Sequence, residues 1–126
     1  MEKNNRYETG ITILNKMISK EALQNISGMK DISSDFWDMI VGFGYGEVYG
    51  REEFPLDKRE IITLTSLITQ GAFEQLEFHL RAALNVGLTK NDIIEIIIQC
   101  AAYVGFPKAC HAMQIAGSVF ESLVEK

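Results

Sequence analysis

Glu74-Gln-Leu-Glu-Phe-His79-Leu-Arg81 is the densest run of groups able to move a proton or hold an anion in this chain. At 100° per residue on a helix, Phe73, Leu76, Leu80, Ala83 and Leu84 form an apolar stripe, and His79 lies at its edge among Ala72, Ala83 and Val86. An imidazole there reaches a partly desolvated cavity, where its ordinary pKa of about 6.5 suits proton transfer at neutral pH. The competing reading is a half-buried histidine bonded to a neighbour. Glu77 and Arg81, four apart, read as an ion pair along the helix. His111 falls on a polar face with Gln114, Ser118 and Glu121, as a solvated histidine also would. Glu47 and Arg51 follow a glycine-rich stretch, Gly42-Phe-Gly-Tyr-Gly46, which either aims them into a cavity or leaves them as solvated loop charges. Cys100 and Cys110 are symmetric about Gly105, so a helical hairpin turning there makes either a redox pair or two inert thiols.

Helices must position these groups. Glycine and proline divide the chain into blocks with helix start and stop signals rather than strand alternation, so the fold is expected to be all-α. Tyr7, Ile11, Leu14 and Ile18 give a first helix a narrow apolar stripe up to about Ser19, and a short one covers Ala22 to Ile26. Ser33 or Ser34 caps a helix carrying Phe36, Trp37, Ile40 and Val41, after which the glycines are expected to bend or loosen the backbone. Asp57 and Glu60 resemble a capping box for a helix that runs to Gln70 and stops at Gly71. A further helix covers Phe73 to Val86, with Gly87 as its stop. Thr89 and Asp92 cap the next, which reaches Val104, and Pro107 suits the first turn of a last helix ending near Val124. The segment Asp92 to Val104 is apolar except for a stripe of Asp92, Glu95, Gln99 and Tyr103. Either its own chain wraps it, or subunits associate symmetrically over part of it.

The 126 residues suffice for one domain with an ordinary core, 47% of them being hydrophobic. A formal charge of −5 gives no general attraction to nucleic acid or to anionic membranes. Two cysteines cannot build a disulfide framework, and with His79 and His111 they are the whole cysteine and histidine supply for a zinc site. Met1 to Arg6 is polar, without the apolar core of a secretory leader, and the longest apolar run, Ile93 to Phe106, is interrupted by Glu95, Gln99 and Gly105. A cytoplasmic protein is expected. Walker, dinucleotide, HExxH and GxSxG motifs are absent.

From Arg6-Tyr-Glu-Thr-Gly10 onward the order of blocks resembles the carboxymuconolactone decarboxylase family. The blocks that carry the resemblance are Gly46-Glu-Val-Tyr-Gly-Arg51, Arg59-Glu-Ile-Ile-Thr-Leu-Thr65, His79-Leu-Arg-Ala-Ala-Leu-Asn-Val-Gly-Leu-Thr89 and Ile98-Gln-Cys-Ala-Ala-Tyr-Val-Gly-Phe-Pro-Lys-Ala-Cys-His-Ala112. The third and fourth are the specific ones. The thiol branch of the family has a CxxC followed four residues later by histidine; counting back from His79, those positions hold Ala72 and Gln75, so that disulfide chemistry is absent. In the decarboxylase branch Tyr49 stands where an indole is usual, and residues 13–26 depart from the pattern. The resemblance implies one domain over residues 1–126, a bundle of about six to seven helices, and homo-oligomers, trimeric or hexameric. It also implies loss of CO₂ from 4-carboxymuconolactone or a related acid without metal or organic cofactor. On that reading His79 supplies the proton with Glu47 as its orienting partner. Arg51 or Arg81 and His111 hold the substrate's carboxylate and carbonyl oxygens, and Tyr103 adds a hydroxyl. Two other functions fit the same chain: a thiol-disulfide protein using Cys100 and Cys110, and a small-molecule-binding oligomer without catalysis.

Overall fold

Side-chain caps start several helices where the sequence offers a hydroxyl. Ser19 Oγ accepts from Ala22 N at 3.1 Å, and Ser33 Oγ from Phe36 N at 3.1 Å. Thr89 and Asp92 bond reciprocally, Thr89 N to Asp92 Oδ2 at 2.9 Å and Asp92 N to Thr89 Oγ1 at 3.0 Å. At the other ends Gly71, Gly87 and Gly105 take φ values of 75°, 116° and 95°, which residues with a side chain rarely adopt. The computed structural model describes residues 3–124, so Met1 and Glu2, part of the polar N-terminal stretch, lie outside the described residues.

Among the described residues there are helices and no strand, and the all-α expectation holds. They are α1 (Lys3–Met17), α2 (Lys20–Ser27), α3 (Met29–Ile32), α4 (Ser34–Met39), a π-helix (Ile40–Val48), α5 (Leu56–Gln70), α6 (Phe73–Asn85), α7 (Lys90–Val104) and α8 (Phe106–Val124). Of these, α3 is a single turn of four residues that packs on α4, and the glycine-rich stretch is itself helical. No described helix is long and apolar enough to cross a membrane. By internal contacts the chain divides into two compact units, Met1–Leu56 and Asp57–Lys126.

In the N-terminal unit α1 lies along the π-helix. The glycines expected to loosen this segment instead widen it in an orderly way, with Tyr49 N donating to Gly44 O at 3.1 Å, five residues back. The reason is close approach. A Cβ on Gly10 would strike Val41 O, and one on Gly46 would strike Arg6 O, so the two helices meet backbone to backbone. Trp37 Nε1 donates to Tyr7 Oη at 2.9 Å and ties α4 to α1.

The C-terminal unit packs α5 to α8 around one core. Leu64 and Ile68 of α5, Leu76, Leu80 and Ala83 of α6, and Ile93, Ile97 and Cys100 of α7 meet the small stripe Ala109, Ala112, Ala116 and Val119 of α8. The alanines, at spacings of three and four, let the neighbouring helices come close. Ile93 to Ile98 is helical despite its β-branched composition, as its length and cap indicate. Lys108 Nζ donates to Thr69 O at 2.8 Å, satisfying a carbonyl at the end of α5.

The glycines of the π-helix separate into two kinds. Gly46→Ala drives a methyl into the Arg6 backbone and is expected to destabilise by about 2–3 kcal/mol, whereas Gly44→Ala, with nothing within 4 Å, should be neutral or stabilising by about 0.5 kcal/mol. Urea midpoints of the two variants check this.

Candidate functional site

Glu60 sits one and two helical turns before Leu64 and Ile68, on the face of α5 that enters the core, and it has no solvent exposure. A carboxylate there needs a donor. His79 of α6 provides it: Nδ1 stands 3.1 Å from Glu60 Oε2, with 13% of the histidine side chain exposed. The ring is therefore largely desolvated yet reachable, neither out in bulk water nor walled in. Phe78 meets it edge-on at 5.0 Å between centroids. A carboxylate on Nδ1 fixes the neutral ring as the Nδ1–H tautomer and leaves Nε2 as the atom able to take up and deliver a proton. Glu60, which resembles half of a capping box in the sequence, is thus a buried partner of the imidazole. The signal was its four-residue spacing from Leu64 and Ile68, which placed a charge on an apolar stripe.

Glu47 lies near the C-terminal end of the π-helix. In the N-terminal unit Arg6 Nη1 donates to its Oε1 at 2.9 Å, with both side chains about one-third exposed. The arginine stem passes over Gly42, where even a Cβ would be in ordinary van der Waals contact with it. Arg6 was not singled out in the sequence. Arg51 pairs with Glu53 at 3.0 Å in solvent.

The other expected groups diverge. Arg81 follows His79 by two residues, about 200° around α6, and so points to the opposite side. Its Nη1 donates to Ser122 Oγ of α8 at 3.1 Å, and Nη2 reaches Glu77 at 3.4 Å, the ion pair read from the sequence. His111 is exposed and stacks on Phe73, ring centroids 4.1 Å apart. Tyr103 is 82% exposed and lies on a groove of about 370 Å³ along α5 and α7 that His79 does not line. Both cysteines are free, Cys100 buried and Cys110 exposed. Burial pushes the Cys100 thiol up, against a smaller opposing pull from a hydrogen bond with Thr65, so the thiolate that disulfide exchange requires is disfavoured. Among the described residues no three His, Cys, Asp or Glu side chains cluster as a metal site would need.

The C-terminal unit is therefore an all-helical scaffold built around a carboxylate–imidazole pair, with alanine and glutamine where a related thiol motif would stand. The carboxymuconolactone decarboxylase family matches residues 34–117, and the chain belongs to it. Its sequence is 32% identical over 124 residues, 98% of this chain and 92% of the other, to a 4-carboxymuconolactone decarboxylase of Acinetobacter baylyi. It is 26% identical over 121 residues, 95% and 85% of the two chains, to a nitrosuccinic acid decarboxylase of Metarhizium robertsii. An uncharacterized 15.0 kDa protein of Paracoccus denitrificans is 35% identical over 78 residues, 60% of this chain and 58% of the other.

The pair makes a spectroscopic prediction. In the neutral ring of His79, ¹⁵N chemical shifts should report the proton on Nδ1, and Glu60→Ala should release that preference; an Nε2–H ring in the unmodified protein would contradict the geometry. The thiols make a second. At pH 8 one cysteine, Cys110, should react quickly with a maleimide and Cys100 slowly, because the raised pKa keeps Cys100 protonated there.

Proposed function

We propose that this chain decarboxylates a small carboxylated lactone such as 4-carboxymuconolactone, or a related acid, with His79 as proton donor. The observation that carries the reading is the fully buried Glu60 carboxylate on Nδ1 of a largely desolvated imidazole. The names of the two decarboxylase relatives support the reaction class, and they differ in the acid they name.

The chemistry makes two demands. When the C–C bond to the carboxylate breaks, CO₂ leaves and the bonding pair moves through the adjacent double bond toward the lactone carbonyl. The protein must stabilise that oxygen and then deliver a proton to carbon. In this reading the protonated His79 gives its Nε2 proton to the carbon, and Glu60 stabilises the imidazolium before transfer and holds the ring in line. The orienting role expected of Glu47 is here given to Glu60, since Arg6 occupies a Glu47 oxygen.

For the substrate's oxygens the expected groups are Arg51 or Arg81 with His111. Ser122, which holds Arg81, and His111 are eleven residues apart on α8, a rise of roughly 16 Å, which is longer than a single lactone ring. We therefore assign Arg81 to the packing of α6 on α8. The carboxylate that departs must be held weakly, because a tight ion pair would stabilise the ground state.

The test is CO₂ release from purified protein supplied with 4-carboxymuconolactone and, separately, nitrosuccinate. His79→Gln and Glu60→Gln are expected to lower kcat by about 10²–10⁴-fold while the circular dichroism spectrum and melting stay close to those of the parent. Arg81→Met should lower stability rather than kcat. Undiminished turnover by a folded His79→Gln protein would overturn the proposal. Stabilisation by the acids without CO₂ release would make the chain a binding protein.

A further inference from the structure

We propose that the cleft between α1, α2 and α4 in the N-terminal unit binds a small organic dianion, a short apolar body with a carboxylate at each end. The cleft has a volume of about 380 Å³, within the size range of small-molecule pockets. Ile11 and Leu23 supply apolar lining beside Trp37, which is only 3% exposed. Lys20 and Lys30 are the charged groups of the cleft. No acidic residue lines it, although Glu21 and Asp31 are the lysines' neighbours in sequence. None of the eight residues of α2 is buried, so this helix closes on α1 loosely, with the cleft between them.

Three donors on this cleft lack a protein acceptor. Tyr7 Oη accepts from Trp37 Nε1 at 2.9 Å, and the hydroxyl's own proton has no acceptor among the described residues. Neither the Lys20 nor the Lys30 ammonium has a hydrogen bond or ion pair among the described residues. An acceptor-rich anion satisfies all three through charge-assisted bonds. The positions of the lysines set its shape. Lys20 opens α2 and Lys30 follows its end, so the two stems start on the order of 10 Å apart along the helix axis. One carboxylate reaches one ammonium, whereas two held apart by a ring reach both. The groove of about 620 Å³ that Tyr7 also lines carries Glu8, Asp35 and Asp38, which repel such a ligand. No residue of the C-terminal unit takes part, so the dianion site stands or falls apart from the role of His79.

Trp37 is the only tryptophan of the chain, so its emission reads this cleft without a label. Terephthalate, which carries two carboxylates across a ring, is expected to shift that emission saturably. Benzoate, with one carboxylate, should bind about tenfold more weakly, and the uncharged dimethyl ester should give no saturable shift. Lys20→Gln and Lys30→Gln should each weaken terephthalate binding about three- to tenfold. Both side chains are exposed, so helical circular dichroism should be unchanged. Lys16→Gln, which removes an exposed charge from a different groove along α1, should bind terephthalate as the parent does. Absence of a saturable shift, equal binding of benzoate, an equal response to inorganic phosphate, or a loss in Lys16→Gln matching that in Lys20→Gln would each overturn the proposal. So would emission that moves on dilution of the protein alone, since a second copy would then be covering the cleft.

Discussion

A carboxylate with no access to water must be met by a donor, and in the C-terminal unit that requirement couples the rotation of α5 to that of α6. Stranding a buried charge costs several kcal/mol, comparable to a large share of a small domain's stability. Glu60 shares its stripe with Leu64 and Ile68. Turning α5 to free the carboxylate would bring those two out of the core. His79 must likewise face α5, and the rest of α6 follows from that orientation. Leu76, Leu80 and Ala83 enter the core, and Arg81, about 200° from the imidazole, is carried round to Ser122. One polar pair therefore separates the cation from the imidazole although they are two residues apart in sequence.

The N-terminal unit solves a different problem by absence of side chains. Glycine in a helix interior costs about 0.5–1 kcal/mol each relative to alanine, and the π-helix contains three. What Gly46 permits is backbone contact with α1 at Arg6, matched by Gly10 of α1 against Val41. The Arg6–Glu47 pair is a consequence of that approach. With both partners about one-third exposed, its stabilising contribution is small, on the order of 0.5 kcal/mol, and its effect is to fix where the Glu47 carboxylate points.

Local rules read from the sequence located most helix boundaries because the residues that enforce them act within a few positions. Ser33, Thr89 with Asp92, Gly71, Gly87 and Pro107 each perform the expected task. The π-helix escaped those rules, since its glycines look like breakers until α1 is seen lying on them. The site was legible in part for the same reason. His79 at the edge of an apolar stripe follows from periodicity on one helix, and its 13% side-chain exposure agrees with that reading. Its partner does not, because Glu60 is nineteen residues away and its spacing from Asp57 imitates a cap. Arg81 and His111 were grouped with His79 by residue type, and helix geometry, which depends on which face meets which neighbour, sends them to other places.

The cost of burying Glu60 bears on how the proposed reaction would recycle its proton. A carboxyl group closed off from solvent cannot exchange with water directly, so the pair meets solvent only through the imidazole. With Nδ1 committed to that carboxylate, the ring both loses and regains its transferable proton at Nε2, through whatever part of its 13% exposure borders the bound acid. Substrate and the reloading water would then share one approach and use it in turn. On the proposed reading an apolar residue at position 60, though cheaper to bury, would leave the imidazole without the partner that orients it.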